Sequence, residues 1–338
     1  IVGAGPAGLT TALFLAKNNI KSTVLEKGTF PKDKICGDAF SGKVAWVLNK
    51  LDNNLFSSLT KQNYTTPSWG IKFYGTQNNE LKVPFKTNYN TATDKIPGFI
   101  SKRLDLDNKL YHLAKNNPLI EIIENCSVTN TYRKDKSIII ETKNQHNFET
   151  KLLLAADGAY SNIAKTLMNI KIKDNHNSLG LRTYYKGVSN LDKDGFIELH
   201  FLKEITPGYF WIFPLPNGQA NVGIGMRSDI IKNKKINLKA IFNSIIEQHP
   251  VISNRFKNAE LIDKPKLHGL PLGGLKNIST DNLMLLGDAA ALIDPFTGEG
   301  IGHAMISGYL ASEVIKKNYP TKNYTKEALN EYNKIVKY

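Results

Sequence analysis

Cysteine is scarce in this chain: 338 residues carry two, Cys36 and Cys126. Two such distant residues exclude a disulfide framework and the spaced pairs of a zinc site, so free thiols in a reducing cytosol and no metal are expected. Arginine is nearly as rare, with five against 39 lysines, and the formal net charge of +14 is therefore lysine charge. It is scattered rather than gathered into a basic stripe with interleaved aromatics, and no reader motif accompanies it, so nucleic acid is not an expected partner. A solvated lysine-rich surface accounts for most of that charge, and what remains is loose attraction to an anionic membrane face or a phosphorylated substrate. Long hydrophobic runs are missing too, since no stretch approaches the roughly 18 apolar residues of a membrane span. Internal repeats, low-complexity linkers and a signal peptide are not visible. These absences point to a cytoplasmic globular protein, peripheral to a membrane at most. Ile1 falls inside what reads as the first strand, so some upstream residues are expected.

What is present is α/β patterning. "IVGAGPAGLTTALFLAKNN" reads as a strand end, a glycine turn and an amphipathic helix with Leu9, Ala12, Leu13 and Ala16 at helical spacing, and "KSTVLEK" as a second strand ending at Glu26. "SWGIKFYGTQNNELKVPF" has the form of a hairpin, and "SKRLDLDNKLYHLAKNNP" that of a helix stopped by Asn116, Asn117 and Pro118. From Leu119 to Ala156 short apolar runs alternate with polar turns, which predicts a β-meander returning to the main sheet. Leu179–Met226 is strand-rich, with "LPNG" joining "YFWIF" to "ANVGIGM". A helix "NLKAIFNSIIEQHP" follows, then an apolar strand "DNLMLLGDAA", a loop, and a helix from Ile301. The expected architecture is a Rossmann-like dinucleotide-binding domain with a central parallel sheet and meander, interleaved with a smaller antiparallel-sheet substrate domain. The boundaries that follow are 1–66, 96–175 and 266–318 for the first, 67–95 and 176–265 for the second, and 319–338 for a C-terminal helical tail.

In "GAGPAG", Gly3 permits a tight turn, Gly5 lets backbone approach a pyrophosphate, and Gly8 lets helix and strand pack closely; Ala7 lies in the first helical turn over the phosphates. Glu26, at the end of the next strand, is placed to bind both hydroxyls of an adenosine ribose, with Lys27 beside it. A nicotinamide and a flavin cofactor share that ADP half, so this fingerprint alone leaves both open. Near the other end of the chain, "GDAAALIDPFTGEG" is a second glycine-rich, acid-bearing loop running into a helix.

Taken together these stretches resemble the flavoprotein monooxygenase fold group, the FAD-binding class of aromatic hydroxylases and geranylgeranyl reductases, over nearly the whole sequence. The resemblance implies FAD. It implies that Arg103 of "RLDLDNKL" reaches the FAD phosphates, as a bidentate donor suited to them, and that Asp157 and Gly158 of "ADGAYS" lie near the pyrophosphate. Lys165 stands where an arginine is common. It further implies that Gly287 and Asp288 hold the ribityl chain, and that the loop from Pro295 through Gly298, Glu299 and Gly300 to Ile301 presents a helix start to the flavin ring. The positive end of that helix would stabilise charge on the reduced ring. Glu299 reads as a first-turn acid held by the helix dipole, and His303 as a packed histidine. Within the group, "PFTGEGI" is similar to the geranylgeranyl reductase branch, as are "KICGDAFSG", with Cys36 and Gly37, and "YFWIFP", Tyr209 to Pro214. Pro207 lies two residues before the tyrosine, where the branch has its proline three before.

Strand alternation puts Tyr209, Trp211 and Phe213 on one face, which suits either an apolar pocket wall or ordinary sheet core. Cys36 is a candidate proton donor or a small packed residue. The resemblance thus implies an FAD-dependent reductase acting on carbon–carbon double bonds of a prenyl lipid, with NAD(P)H as electron donor and Cys36, Tyr209 and Trp211 as catalytic candidates. Two alternatives stay open: a flavin monooxygenase or halogenase, which would need oxygen, and a non-enzymatic prenyl-lipid carrier on the same fold, which would be colourless. Nothing in the sequence specifies an oligomeric state.

Overall fold

The computed structural model describes residues 1–336; the last two residues of the tail drawn at 319–338 lie outside the described residues. By contact the chain clusters into two compact units built from separate segments, Ile1–Lys32, Leu106–Ile172 and Leu270–Tyr338 in the first, Asp33–Asp105 and Lys173–Gly269 in the second. Residues 33–66 and 96–105, drawn with the nucleotide-binding segments from the sequence, fall with the second unit.

In the first unit, strands Ser22–Leu25 and Ile120–Ile123 pair in parallel, Val2 bridges in parallel to Leu25 and to Ala155, and Leu153–Ala155 pairs in parallel with Leu283–Leu285. Short apolar strands without alternation are what a sheet covered on both faces requires, and Leu153, Ala155, Leu283, Met284 and Leu285 are all fully buried. Helix Pro6–Lys17 is buried from Pro6 to Ala16. The expected meander exists but is shorter: it comprises Val128–Lys134, Ser137–Thr142 and Asn147–Thr150. Ile120–Ile123, read from the sequence as its first strand, belongs instead to the parallel sheet, because an apolar run marks a strand without fixing its direction.

The tail helix Lys326–Ile335 is core rather than appendage. Leu329 and Tyr332 are fully buried, the Tyr332 hydroxyl donates to Leu285 O at 2.9 Å, and Asn333 Oδ1 accepts from the N–H groups of Ile278 and Ser279 at 2.8 and 3.1 Å.

The second unit is built on an eight-stranded sheet running Glu260–Leu261, Asn177–Lys186, Gln219–Arg227, Gly208–Leu215, Ile197–His200, Gly70–Tyr74, Glu80–Pro84, with Lys266–Pro271 also on Asn177–Lys186. Along the path from Glu260–Leu261 to Glu80–Pro84 neighbours are antiparallel apart from Ile197–His200 on Gly70–Tyr74, which is parallel. The expected hairpin is there, Gly70–Tyr74 against Glu80–Pro84. Strand Gly208–Leu215 sorts its residues by parity. Phe210 and Ile212 pack with Leu238, Phe242 and Ile245 of helix Leu238–Gln248, whereas Trp211 and Phe213 pack with Tyr184, Ile197 and Leu199 on the other face, and Tyr209 packs at its margin.

Candidate functional site

The first unit brings its two glycine loops together. Gly3, at φ +100°, turns the chain out of the strand directly under Ala156, where a Cβ would collide with the Ala156 carbonyl. A Cβ on Gly8 would likewise strike the Gly3 carbonyl, whereas Gly5 has no atom within 4 Å of where its Cβ would be. Two glycines therefore serve packing and the middle one keeps room open at the helix start. Gly287, at φ +56°, lies where a Cβ would be 3.0 Å from the Cβ of Ala304 and 3.2 Å from that of Ala7. Its N–H donates to Ser307 Oγ at 3.0 Å. One turn on, Gly308 lets helix Ile301–Asn318 approach the Ala7 carbonyl so closely that a Cβ would sit 2.7 Å from it. The loops at Gly3–Gly8 and Gly287–Ile301 thus meet through Ala7, though nearly the whole sequence separates them.

Both helices begin at glycines, Gly5 and Gly300, with no side-chain cap. Helices Gly42–Leu51, Asn162–Met168, Leu238–Gln248 and Lys326–Ile335 are capped by Ser41, Ser161, Asn237 and Thr325. A long helix started without a cap leaves first-turn N–H groups for a ligand, and the helix dipole favours an anionic one. The open position at Gly5 and the two uncapped starts fit a dinucleotide-sized anion, and so fit FAD.

Around that cradle, Glu26 is 3% exposed and accepts from Ala4 N–H at 2.8 Å, Gly28 N–H at 2.9 Å and the Lys32 ammonium at 2.5 Å. Burial pulls its carboxyl upward, but Lys32 and the two N–H groups outweigh that and hold it below the ordinary value. Lys27 is exposed. Asp157 accepts from the Ser161 hydroxyl at 2.7 Å and Ile163 N–H at 3.4 Å, so it helps start the helix at Asn162; Gly158 follows it at φ +85°. Burial raises the Asp157 carboxyl despite these donors. Asp288 belongs to the short turn Gly287–Ala290, and its Oδ1 lies 3.6 Å from where a Cβ on Gly300 would be. In the loop that follows, Asp294 accepts from Phe296 N–H, Thr297 N–H and the Thr297 hydroxyl at 3.0, 2.7 and 2.8 Å, which folds Pro295 and Gly298 into a tight turn. Glu299 corrects an expectation: the helix starts at Ile301 after N-cap Gly300, so Glu299 precedes it instead of lying in its first turn. Its Oε2 is 3.7 Å from Nε2 of His303, and His303 is packed at 3% exposure.

The second unit gathers the other candidates. Cys36 is half-buried, and Gly37 lies against Phe213, where a Cβ would come 2.9 Å from the ring. Arg103 is buried, and its side chain hydrogen-bonds the Cys36 thiol. Tyr209 and Trp211 meet edge-on at 6.1 Å, and Trp211 and Phe213 tilt at 6.2 Å. Burial holds the Cys36 thiol above its ordinary value, opposed by the Arg103 guanidinium and reinforced by Asp38.

Sequence reasoning passed over the polar group that ties these residues together. Asp38 Oδ2 accepts from the Tyr184 hydroxyl at 2.7 Å and from Asn221 Nδ2 at 2.8 Å. Asn221 Nδ2 also donates to Cys36 O at 2.7 Å, while its Oδ1 accepts from Trp211 Nε1 at 2.8 Å. Behind Tyr184 lies Arg182, fully buried, its guanidinium 4.2 Å from the Tyr184 ring centre and paired with Asp33 and Asp263 at 3.1 and 3.3 Å. Burial, only partly opposed by Tyr184, Arg182 and Asn221, pushes Asp38 up to about 6. The single local signal was Asp38 directly after the Cys-Gly pair.

The chain is similar to known proteins over nearly its whole length. The geranylgeranyl reductase catalytic domain profile matches residues 181–264, and an NAD(P)-binding Rossmann-like domain profile matches residues 1–59. The digeranylgeranylglycerophospholipid reductase of Methanocaldococcus jannaschii is 30% identical over 98% of this chain and 80% of its own length. The crystal structure of a geranylgeranyl bacteriochlorophyll reductase-like protein from Thermoplasma acidophilum superposes with a TM-score of 0.84 at 26% identity, over 99% of this chain and 81% of that one. The flavin-dependent halogenase CmlS shares the fold, with a TM-score of 0.82 at 20% identity over 99% of this chain and 60% of its own. By its kinship with the archaeal reductase over nearly its full length, the chain belongs to the geranylgeranyl reductase family.

Proposed function

We propose that this protein is an FAD-dependent reductase of carbon–carbon double bonds in a prenyl lipid of the digeranylgeranylglycerophospholipid class. The observation that carries it is the pair of uncapped, glycine-started helices brought side by side at Ala7, Gly287 and Gly308. The family supplies the substrate class.

When bound, reduced FAD supplies a hydride to one alkene carbon. Everything else is asked of the chain. The N–H groups following Gly5 bind the pyrophosphate, Glu26 orients the adenosine ribose, and Asp288 holds the ribityl side with Gly287. Arg103, whose sequence-based role was to reach the phosphates, sits at the Cys36 thiol. The uncapped start of helix Ile301–Asn318 stabilises negative charge on the ring side. Tyr209, Trp211 and Phe213 exclude water from the apolar chain, which matters because an unactivated alkene accepts hydride only if a proton arrives almost together with it. Cys36 keeps that proton on Sγ at neutral pH, since its thiol is held above the ordinary value. NAD(P)H is the electron donor in this reading.

A lipid substrate also asks for contact with a bilayer. The register runs Trp211 to Leu199 to Phe73 to Leu81, and Ile197 to Ile71 to Val83, so the aromatic face continues to the sheet edge. At that edge Leu81, Val83 and Phe85 are exposed; Lys82 and Lys86, between and beside them, are themselves paired with Asp192 and Asp94 at 3.8 and 2.7 Å. An exposed apolar edge on a chain of net charge +14 suits the surface of an anionic membrane. Among the described residues no helix is long and apolar enough to cross one.

The purified protein should be yellow, take up FAD and, once reduced by dithionite without oxygen, saturate digeranylgeranylglycerophospholipid as read by mass spectrometry. A colourless protein that takes up no FAD, or product formed only when oxygen is admitted, would overturn the reading. Bleaching of the bound flavin by NADPH or NADH identifies the donor.

A further inference from the structure

We propose that Asp38 is a positioning residue whose carboxylate fixes the Cys36 segment to the Trp211 strand and whose charge controls the state of the Cys36 thiol. The inference rests on the reading of Cys36 as the residue that holds the proton.

Asp38 is fully buried and has φ 68°, a left-handed conformation that a non-glycine residue adopts only when its surroundings impose it. They do so from four directions. Its carbonyl accepts from Ser101 N–H at 3.1 Å, Oδ1 accepts from Arg103 N–H at 3.2 Å, and Oδ2 accepts from Tyr184 and Asn221. Its own N–H points at Cys36 Sγ, 3.4 Å away. Asn221 is fully buried as well, and spends its whole side chain on Asp38, Cys36 O and Trp211 Nε1. One carboxylate therefore holds the cysteine loop, the strand of Trp211 through Asn221, the strand of Tyr184, and the start of the Arg103 helix.

A purely structural hub would not need a charge. Burying a carboxylate is costly unless it is paired, and none of the groups that hydrogen-bond Asp38 is a cation. The charged and titratable groups facing it are Arg182 behind the Tyr184 ring, Lys102 over that ring at 4.7 Å, Tyr184 itself, Arg103 and Cys36. An anion beside a thiol favours the protonated thiol. Burial is the main reason that the Cys36 thiol is held above its ordinary value; ionised Asp38 adds to it against the pull of the Arg103 guanidinium, and the bonds that ionised Asp38 accepts keep the Cys36 segment in place. Below about pH 6 the carboxylate becomes protonated and both effects fade.

The test uses the full-length, FAD-loaded protein and reads two things: iodoacetamide alkylation of Cys36 against pH, followed by peptide mass spectrometry, and kcat and KM for lipid reduction from pH 5 to 9. In Asp38→Asn the thiol should ionise about one pH unit lower, giving about tenfold faster alkylation on the rising part of the curve. Its kcat should fall about tenfold with KM unchanged, and the acid limb near pH 6 should vanish. Tyr184→Phe, which keeps the charge but removes a donor that favours it, should move that acid limb to higher pH. Alkylation and pH profiles identical to the parent in both variants would overturn the proposal. A shifted alkylation curve with unchanged turnover would sustain the grip of Asp38 on Cys36 and overturn instead the proton-holding role of Cys36.

Discussion

Asp38 also carries a stability signature. Its folded carboxyl titrates at about 6, above the ordinary 3.8, so the protonated form is the one the folded state favours. Its contribution is most favourable below pH 4 and is lost as pH rises through 6. A displacement of about two pH units is worth about 3 kcal/mol. Urea unfolding at pH 4 and pH 7.5 should therefore show the parent losing about that much relative to Asp38→Asn on going to the higher pH; an equal difference at both pH values would contradict a buried, ionised Asp38. None of this was legible in the sequence. Asp38 lies 146 residues from Tyr184 and 183 from Asn221, and a carboxylate next to a Cys-Gly pair has the look of a loop residue until the fold closes around it. The glycines stood out because their spacing already implies a turn, and Trp211 because strand alternation sets its face, whereas Cys36 stood out only through the resemblance of its segment to the family.

At the level of elements, the uncapped helix starts separate a ligand site from a packing device. Gly5→Asp has room for its side chain, since nothing lies within 4 Å of the added Cβ, and Gly5 has φ −82°, which any residue adopts. A carboxylate there caps the helix in the apoprotein, worth about 1 kcal/mol, and repels the phosphates. The expected outcome is an apoprotein with equal or higher Tm that binds FAD at least tenfold more weakly by fluorescence titration; unchanged FAD affinity would show that the pyrophosphate lies elsewhere. The alternation in "YFWIFP" correctly separated Trp211 and Phe213 from Phe210 and Ile212, because period two is a property of any strand. Strand direction was not legible in the same way. Ile120–Ile123 turned out parallel to Ser22–Leu25, a pairing set by helix crossovers instead of by its own residues. The helix does start at Ile301, as read from the sequence, but that start leaves Glu299 before the first turn, in the loop that Asp294 folds.

For the whole molecule, the charge of +14 and the exposed edge at Leu81, Val83 and Phe85 act over different ranges. In the proposed membrane contact, lysine charge would draw the protein to an anionic surface and weaken with salt, over a Debye length of about 8 Å at physiological ionic strength; the apolar edge would hold once contact is made. Sedimentation with vesicles containing anionic lipid should thus fall with added salt, and substituting Leu81, Val83 and Phe85 by Ser should abolish the part that salt does not remove. Equal binding by the parent and the triple variant in high salt would exclude this edge. The lysines were countable at once, whereas the edge became visible only when register connected Trp211 to Leu81. The meeting of the two glycine loops at Ala7 has a last consequence, in chain entropy. Joining segments so far apart costs little more than joining near ones, since loop closure grows only with the logarithm of length. That cost falls on folding, before any cofactor arrives. On the proposed reading, FAD would then meet both halves of its cradle already side by side at Ala7, Gly287 and Gly308, with less left to order at the moment of binding.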